Sequence, residues 1–192
     1  MIPPGIEGNL KHVLSGGIGS EWMPFEKKKD FTNAFIIHNG RILLGFKKRG
    51  FGKDKYNGFG GKVEEGETSL QAAVRELEEE AGITAPLEHA GTLLFLSEGI
   101  DVAFEIEIYR AEEYTGTVAE TDEMRPEWFH LPSNTSSGPA DWSSIPFDQM
   151  WDTDRYWLPY LVSKTKFAGR ADFRQEGDVW TLHKWWFGVT DV

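Results

Sequence analysis

The clearest helical pattern in the chain lies between Thr68 and Gly82. Apolar residues recur there at intervals of three or four, which indicates that one face of a helix is buried. Thr68 and Gln71 have the spacing of a capping box at the start, and Gly82 stands where helices often end in a left-handed residue. The pattern predicts an amphipathic helix of about three turns. The apolar residues of its buried face are Leu70, Ala73, Val74, Leu77 and Ala81.

Apolar runs on both sides of this helix predict strands. The segments FTNAFIIH and RILLGFK flank Asn39-Gly40, which is a strong signal for a β-hairpin. A glycine-rich loop, RGFGKDKYNGFGG, then leads to the helix. Further strands are expected near residues 91–97, 103–110 and 126–131, and residues 164–172 and 179–186 are expected to close the sheet. A second helical segment is expected over residues 145–162, despite Pro146 and Pro159.

The chain of 192 residues is long enough for one domain with a sizeable core and too short for two. Residues 1–29 are rich in Gly and Pro and end in three lysines, so we expect an N-terminal arm, ordered or loose, before a domain at 30–192. The arm lacks the apolar core of a secretory signal. It also has an early acidic residue and no arginine, which is unlike a mitochondrial targeting signal. Residues 132–144 are polar and rich in Pro and Ser, which predicts a surface-loop insert.

Composition narrows the class of protein. Apolar residues make up 40% of the chain and aromatic residues 14%, as in globular proteins. No apolar run approaches membrane-spanning length, so no membrane partner is expected. The chain has no cysteine, which excludes disulfides and thiol catalysis. Its net charge of −11 argues against binding to a nucleic-acid backbone.

The polar face of the first predicted helix is unusual. Glu76, Glu79 and Glu80 stand at i, i+3 and i+4, so that three carboxylates converge. A solvated acidic face is the ordinary interpretation of such a charge run. Clustered glutamates also supply the oxygen ligands that a hard divalent cation needs, and Mg²⁺ or Mn²⁺ would be the natural occupant. A bound cation would reverse the local electrostatics of this acidic site through its own charge.

Residues 61–83, GKVEEGETSLQAAVRELEEEAGI, resemble the box of the Nudix hydrolases, which cleave a nucleoside diphosphate linked to another moiety. The resemblance rests on fixed residue types at set spacings: Gly61, Glu67, Arg75-Glu76-Leu77, Glu79-Glu80 and Gly82-Ile83. It implies the α/β (α+β) Nudix fold, in which a mixed β-sheet lies between helices and the box forms a loop–helix–loop.

Motifs outside the box resemble a narrower branch, the MutT homologues that hydrolyse oxidised purine nucleoside triphosphates. They are LLGFKKRGFG, NGFGGKVEEGET, DEMRPEWF and IPF-x-x-MW followed by YWxP, and they extend from about Thr32 to the C-terminus. This resemblance implies Mg²⁺-dependent hydrolysis of nucleotides such as 8-oxo-dGTP or 2-hydroxy-dATP to the monophosphate and pyrophosphate. Such an enzyme sanitises the nucleotide pool and so avoids DNA damage.

The resemblance also implies roles for individual residues. Glu80 is the first candidate to position or deprotonate the attacking water and Glu123 the second, with Glu79 as a further catalytic carboxylate. Arg75 and Glu67 are expected to form a supporting ion pair, and Gly61 and Gly82 complete the structural box. The expected metal ligands are the carbonyl of Gly60 and the carboxylates of Glu76, Glu79, Glu80 and Glu123.

The implied base pocket combines aromatic and polar side chains. A purine can stack on an aromatic ring, and Asn57 presents donors and acceptors to a base edge; for the aromatic residues, plain core packing is the competing interpretation. The implied residues are Thr32, Lys47, Phe51, Asn57, Phe95, Trp151 and Asp154.

The chain departs from the branch next to Trp151. The branch has a proline and two aspartates there, and this chain has Asp152, Thr153 and Asp154. Paired buried acids can exchange protons and so present donors or acceptors to different bases. With Thr153 in place of one aspartate, the pair has fewer protonation states to offer. Ser97 and Phe104 also replace a phenylalanine and a methionine of the branch. The balance between oxidised guanine and adenine nucleotides therefore stays open.

Two alternatives stand beside the main hypothesis. One is a Nudix hydrolase of another substrate, such as a dinucleoside polyphosphate, ADP-ribose or a cap. The other is a nucleotide-binding sensor without turnover, which the intact glutamates of the box disfavour. A monomer in the cytoplasm is expected, with the nucleus or mitochondria as further locations.

Overall fold

A computed structural model describes residues 1–19, 21–132, 140–177 and 179–190. The predicted insert at 132–144 lies largely outside these residues. The described chain forms two compact units. The first unit contains residues 1–31, 90–108 and 153–192, and the second contains residues 32–89 and 109–152.

The secondary structure is a succession of strands with few helices. The helices are α1 (Ser69–Ala81), α2 (Asp154–Val162) and a short 3-10 helix (Phe147–Gln149). Within the described ranges, none of them has both the length and the apolar character needed to cross a membrane. The strands are β1 (Leu10–Gly17), β2 (Lys27–His38), β3 (Arg41–Lys47), β4 (Tyr56–Asn57), β5 (Ile83–Thr84), β6 (Glu88–Ser97), β7 (Val102–Ala111), β8 (Thr115–Gly116), β9 (Met124–His130), β10 (Phe167–Glu176) and β11 (Val179–Thr190).

The first unit is built on a mixed sheet in the order β1-β11-β10-β6-β7. Strand β10 runs parallel to β6 and antiparallel to β11, which itself pairs with β1. Helix α2 packs in this unit through the Trp157 ring, which stacks on Phe167 with centroids 5.5 Å apart. The mixed sheet and the helices confirm the predicted α+β class, and β10 and β11 are the two strands expected at the end of the chain.

The first thirty residues are held to this sheet by more than the pairing of β1. Arg170 on β10 is fully buried and donates to both carboxylate oxygens of Asp172 at 2.8 and 3.1 Å. It also donates to the carbonyl of Pro4 at 2.8 Å and to that of Met23 at 2.5 Å. The Met23 amide donates to Asp172 at 2.7 Å. One buried ion pair therefore ties two points of the N-terminal segment to the sheet.

The second unit begins with the predicted hairpin, which is confirmed. Strands β2 and β3 pair antiparallel from Ile36 with Leu43 to His38 with Arg41. Asn39 and Gly40 both have positive φ, 51° and 69°, as the tight two-residue hairpin turn requires. Strand β3 also pairs with β4 and β9, and its end at Lys47 is therefore placed beside the start of β9.

Helix α1 has the predicted ends. Thr68 and Gln71 form the capping box, and Gly82 ends the helix with φ 72°. The prediction that Leu70 is buried was wrong, since this side chain is 42% exposed. Leu70 lies in the first turn, whereas the buried clusters take their helix residues from further along, namely Ala73, Leu77 and Ala81.

The prediction of one helical segment over residues 145–162 was wrong in its middle. The 3-10 helix ends after Gln149, and Met150 is extended with φ −113° and ψ −175°. Helix α2 starts only at Asp154. Pro146 stands at the start of the 3-10 helix, where proline is tolerated, so the break at Met150 does not come from this residue and is not visible in the apolar spacing.

Candidate active site

A glycine-rich backbone segment lies against the part of β2 in the second unit. The amide of Thr32 donates to the Gly61 carbonyl at 2.8 Å, and that of Ala34 donates to the Phe59 carbonyl at 2.7 Å. A Cβ atom on Gly60 would come within 2.0 Å of the Thr32 carbonyl, and one on Gly61 within 2.3 Å of a Glu76 carboxylate oxygen. Glycine is required at position 60, where the neighbour is backbone, whereas a side chain at position 61 would displace the Glu76 carboxylate.

Helix α1 directs its acidic face towards this segment. Glu80 is only 5% exposed, although it is charged in its ordinary state, and it accepts a hydrogen bond from the Gly60 amide at 2.9 Å. Glu76 is half-buried and Glu79 is exposed. A cleft of about 350 Å³ opens here, lined by Arg49, Glu76, Glu79, Glu80, Thr121, Asp122 and Glu123.

Lys47, at the end of β3, bridges two carboxylates of the cleft. Its ammonium donates to Glu80 at 3.0 Å and to Glu123 at 2.5 Å. Arg49 donates to the other oxygen of Glu123 at 3.2 Å. Glu123 precedes β9, whose Met124 pairs with Lys47, so the register of these two strands brings the lysine and the acid together.

The two carboxylates that share Lys47 titrate differently. Burial raises the pKa of Glu80 above its ordinary value, against the opposing attraction of Lys47. The hydrogen bond from Lys47 lowers the pKa of the more exposed Glu123. Burial works against the charge on Lys47, but its bonds to Glu123 and Glu80 outweigh burial and raise its pKa. The site therefore holds one stronger and one weaker carboxylate base.

Arg75 holds the box together through five hydrogen bonds. Its guanidinium donates to both oxygens of Glu67, at 2.7 and 2.9 Å, and to Glu76 at 2.8 Å. It also donates to Glu79 at 3.3 Å and to the Lys62 carbonyl at 3.2 Å. The hydrogen bonds from Arg75 lower the pKa of Glu67 to about 2. One arginine thus relieves the repulsion along the acidic face and fixes the loop that precedes the helix.

The donor set of the cleft fits a hard divalent cation. It consists of carboxylate oxygens, which Mg²⁺ prefers over nitrogen or sulfur ligands. Within the described ranges no three acidic or imidazole side chains are arranged to hold an ion as they stand. The ammonium of Lys47 already lies between Glu80 and Glu123, which demonstrates that positive charge is accommodated between these two acids.

Most of the predicted base-pocket residues lie in the second unit, and two of them, Phe51 and Trp151, contact each other. The Phe51 ring stacks on Trp151 with centroids 5.2 Å apart and planes 22° apart, although Phe51 is 83% exposed. The Lys55 ammonium lies 5.2 Å from the centroid of the same Trp151 ring. Thr32 is buried, and its hydroxyl has no hydrogen-bond partner in the described part of the chain. Lys47 lies at the acidic cleft.

Two further predicted pocket residues, Phe95 and Asp154, belong to the first unit and are described there. Phe95 packs edge-to-face on Phe173 at 5.7 Å. Asp154 is buried and accepts a hydrogen bond from the Trp157 indole at 3.2 Å. Thr153, which replaces an aspartate of the branch, is fully buried, and its hydroxyl finds no partner among the residues that the structure describes.

Asn33 was not among the residues predicted from the sequence. Its side-chain amide donates to the Asn57 side-chain oxygen at 2.7 Å, and it is 8% exposed. The signal that was available is an amide residue directly before the apolar run AFII of the predicted strand FTNAFIIH, at a position that proves to be buried. Arg49 was not among the candidate residues either, yet it contacts Glu123.

Comparison with known proteins agrees with this geometry. The NUDIX domain family matches residues 28–147. The chain is 45% identical over 157 residues to the oxidized purine nucleoside triphosphate hydrolase of Danio rerio, a match that covers 81% of this chain and 93% of the relative. It is 39% identical over 150 residues to the protein of that name from Mus musculus, covering 78% and 89%.

A solved structure supports the fold. The crystal structure of the MutT protein from Bacillus halodurans superposes with a TM-score of 0.65 at 23% identity, covering 83% of this chain and 97% of that one. The family match spans more than half of the chain and includes the box, the glycine-rich segment and Glu123. The chain therefore belongs to the Nudix family of hydrolases.

Proposed function

We propose that the protein hydrolyses oxidised purine nucleoside triphosphates to the monophosphate and pyrophosphate, which removes damaged precursors of DNA. Two relatives that match most of this chain bear the name of that activity. The observation that carries the proposal is the buried carboxylate of Glu80 at a cleft lined mostly by acids, with Lys47 beside it. An acid in that position can act on water next to a polyphosphate.

Nudix hydrolases generally depend on divalent metals, and Mg²⁺ is the cation we propose here, with Mn²⁺ as a substitute. The carboxylates of Glu76, Glu79, Glu80 and Glu123 and the carbonyl of Gly60 would hold it, because all five donors are hard oxygen atoms. A bound divalent cation would neutralise phosphate charge and lower the pKa of the water that attacks phosphorus.

Glu80 is the residue we assign to the proton of that water. Glu80 is a buried carboxylate at the wall of the cleft, within reach of a water bound there, and in the metal-free protein burial raises its pKa. Glu123 is the second candidate, since its bond from Lys47 lowers its pKa and makes it the weaker base. Glu79 is the third carboxylate of the proposed catalytic group.

For the base, Trp151 is the proposed stacking surface, worth about 1–3 kcal/mol per stacked base. Phe51 borders it, and Thr32 and Asn57 would contact polar atoms of the purine. Phe95 and Asp154, in the first unit, stay predictions from sequence. Lys47 would offer its charge to phosphate oxygens.

The protein is expected to act on free nucleotides and not on nucleic acid, because its net charge of −11 repels a phosphate backbone. We further propose a monomer that works in the cytoplasm, with the nucleus or mitochondria as other locations.

Pyrophosphate release with Mg²⁺ tests the proposal. The kcat/KM values for 8-oxo-dGTP and 2-hydroxy-dATP would be compared with those for dGTP and dATP. We expect at least one oxidised nucleotide to exceed its unmodified counterpart by about tenfold or more. Equal, weak rates on all four would point to another Nudix substrate, such as a dinucleoside polyphosphate, ADP-ribose or a cap. Binding without turnover would indicate a sensor.

A further inference from the structure

We propose that Asn33 is a positioning residue for base specificity: it holds the side-chain amide of Asn57 so that Asn57 can only donate hydrogen bonds to the purine. The inference rests on the proposed function, in which Asn57 contacts the base. Asn33 acts through Asn57, to which it donates at 2.7 Å across two neighbouring backbone segments of the second unit.

The orientation of the Asn57 amide follows from a backbone contact. The Gly58 amide lies 2.9 Å from one side-chain atom of Asn57. A backbone N–H can only donate, so the Asn57 atom that it meets is the oxygen. The Asn33 atom 2.7 Å from the same oxygen must then be the amide nitrogen. Both side-chain orientations are thus determined by one unambiguous donor.

These two contacts use the whole acceptor capacity of Asn57. A side-chain amide oxygen has two lone pairs, and its nitrogen carries two donor hydrogens. With Gly58 and Asn33 on the oxygen, the group that Asn57 has left for a ligand is its nitrogen. The complementary base edge carries an acceptor, either a carbonyl oxygen or an unprotonated ring nitrogen. An exocyclic amine at that point would be disfavoured.

Stability alone does not account for an asparagine at position 33. Its own carbonyl oxygen is buried and has no hydrogen-bond partner within the described residues. A Cβ atom on Gly58 would come within 2.3 Å of that oxygen, so Asn33 fits only because its neighbour is glycine. An unpaired buried acceptor destabilises a fold, and a leucine of similar size would avoid it. The hydrogen bond from the Asn33 nitrogen to Asn57 is what offsets the cost of the unpaired oxygen.

The test is a double-mutant cycle with Asn33→Leu and Asn57→Leu. The kcat/KM would be measured for two pairs of nucleotides, each differing by one exocyclic amine: 8-oxo-dGTP with 8-oxo-dITP, and 2-hydroxy-dATP with its analogue lacking the 6-amino group. Asn33→Leu frees the Asn57 oxygen to accept. We expect the ratio of at least one pair to shift about fivefold towards the amine-bearing nucleotide, the size of one net hydrogen bond.

In the Asn57→Leu background the same substitution should shift these ratios less than about twofold, because the residue through which Asn33 acts is gone. The melting temperature of Asn33→Leu should equal or exceed that of the wild type. Equal shifts in both backgrounds, no shift in either, or a uniform loss on all nucleotides with a lowered melting temperature would each overturn the inference.

Failure of the proposed function would look different, since the wild type would then release no pyrophosphate from any of these nucleotides. The cycle would in that case be run on dissociation constants of the same four nucleotides, measured by calorimetry with Mg²⁺. A shift in the affinity ratio that depends on Asn57 would still support the role of Asn33, and its absence would refute it.

Discussion

Glu80 carries a carboxylate into a position that is only 5% exposed, and two neighbours make this possible. The Lys47 ammonium and the Gly60 amide each donate to one of its oxygens. Burial still raises its pKa, because neither contact restores the full hydration of a charged group. A residue kept in this state at a cost in stability is better explained by its chemistry than by its packing.

Glu80→Gln should reduce kcat for the best triphosphate by about 10²–10⁴-fold, the usual range for a lost general base. Glutamine keeps the size and the acceptor for Gly60 but cannot take a proton. Pyrophosphate release measures the effect, and circular dichroism checks the fold. Glu78→Gln is the matched control, since Glu78 is exposed on the same helix. Equal rates for the two variants would remove Glu80 from the proposed catalytic role.

Lys47→Met should lower the melting temperature in EDTA, because Glu80 and Glu123 lose the cation that they share. Mg²⁺ or Mn²⁺ binds only the native state and so stabilises it. The melting temperature of the variant should rise more than that of the wild type, because the metal replaces the positive charge that the variant lacks. Differential scanning fluorimetry with and without metal measures both shifts. Lys53→Met, at an exposed lysine of the loop that follows β3, should leave them unchanged. Identical metal shifts in all three proteins would contradict the assignment.

At the scale of elements, the loop before α1 and the helix itself are joined by side-chain hydrogen bonds into one structural unit. The capping box starts the helix, and Arg75, at its middle, donates hydrogen bonds to Glu67 in the loop and to its neighbour Glu76. The like charges of the acidic face would otherwise oppose the helix. The box therefore contains both the proposed metal ligands and the arginine that offsets the repulsion between them.

The Glu67–Arg75 pair should contribute to stability in a pH-dependent way. The pKa of Glu67 falls from its ordinary value of 4.5 to about 2 in the folded protein. A depressed carboxylate pKa stabilises the fold above the unfolded value and ceases to do so as pH falls through the folded one. The melting temperature of Glu67→Gln should thus lie below that of the wild type at pH 7, and the gap should narrow between pH 4.5 and 2.

Thermal scans of wild type and Glu67→Gln at pH 7 and about pH 3 measure that gap. Glu65→Gln, at an exposed neighbouring residue, provides the comparison and should show a small gap at both pH values. A gap for Glu67→Gln that does not change with pH would mean that the substitution acts through packing and not through charge.

At the scale of the whole molecule, the N-terminal segment belongs to the structure of the first unit. Arg170 is fully buried, and its donors are taken up by Asp172 and by the carbonyls of Pro4 and Met23. A buried charge is tolerated only when paired and hydrogen-bonded. The segment thus completes the hydrogen bonding of a group that the sheet itself could not satisfy.

Arg170→Met should lower the free energy of unfolding by about 3–5 kcal/mol, because it leaves Asp172 buried without its counter-charge. Urea unfolding measures this difference. Arg174→Met is the control on the same strand, since its pair with Glu98 is half exposed and should be worth no more than about 1 kcal/mol. Similar losses for both variants would show that the buried pair has no special role.

Sequence patterns predicted local features best. The cap at Thr68, the stop at Gly82 and the hairpin turn at Asn39-Gly40 all depend on neighbouring residues and were confirmed. Strand β1 was not among the predicted strands, since pairing with β11 and not its own sequence pattern defines it. The break at Met150 in the expected second helix was not predicted for a similar reason. Apolar spacing does not reveal where tertiary packing turns the chain.

The sequence by itself determined the family, the reaction class and the spacing of the three glutamates on α1, because helical periodicity and a contiguous motif are properties of short segments. Only the tertiary structure decided that Lys47 bridges Glu80 and Glu123 and that Asn33 takes one side of the Asn57 oxygen. Those contacts arise from strand register and from the close passage of a glycine-rich backbone, and register depends on pairing between segments that are distant in sequence.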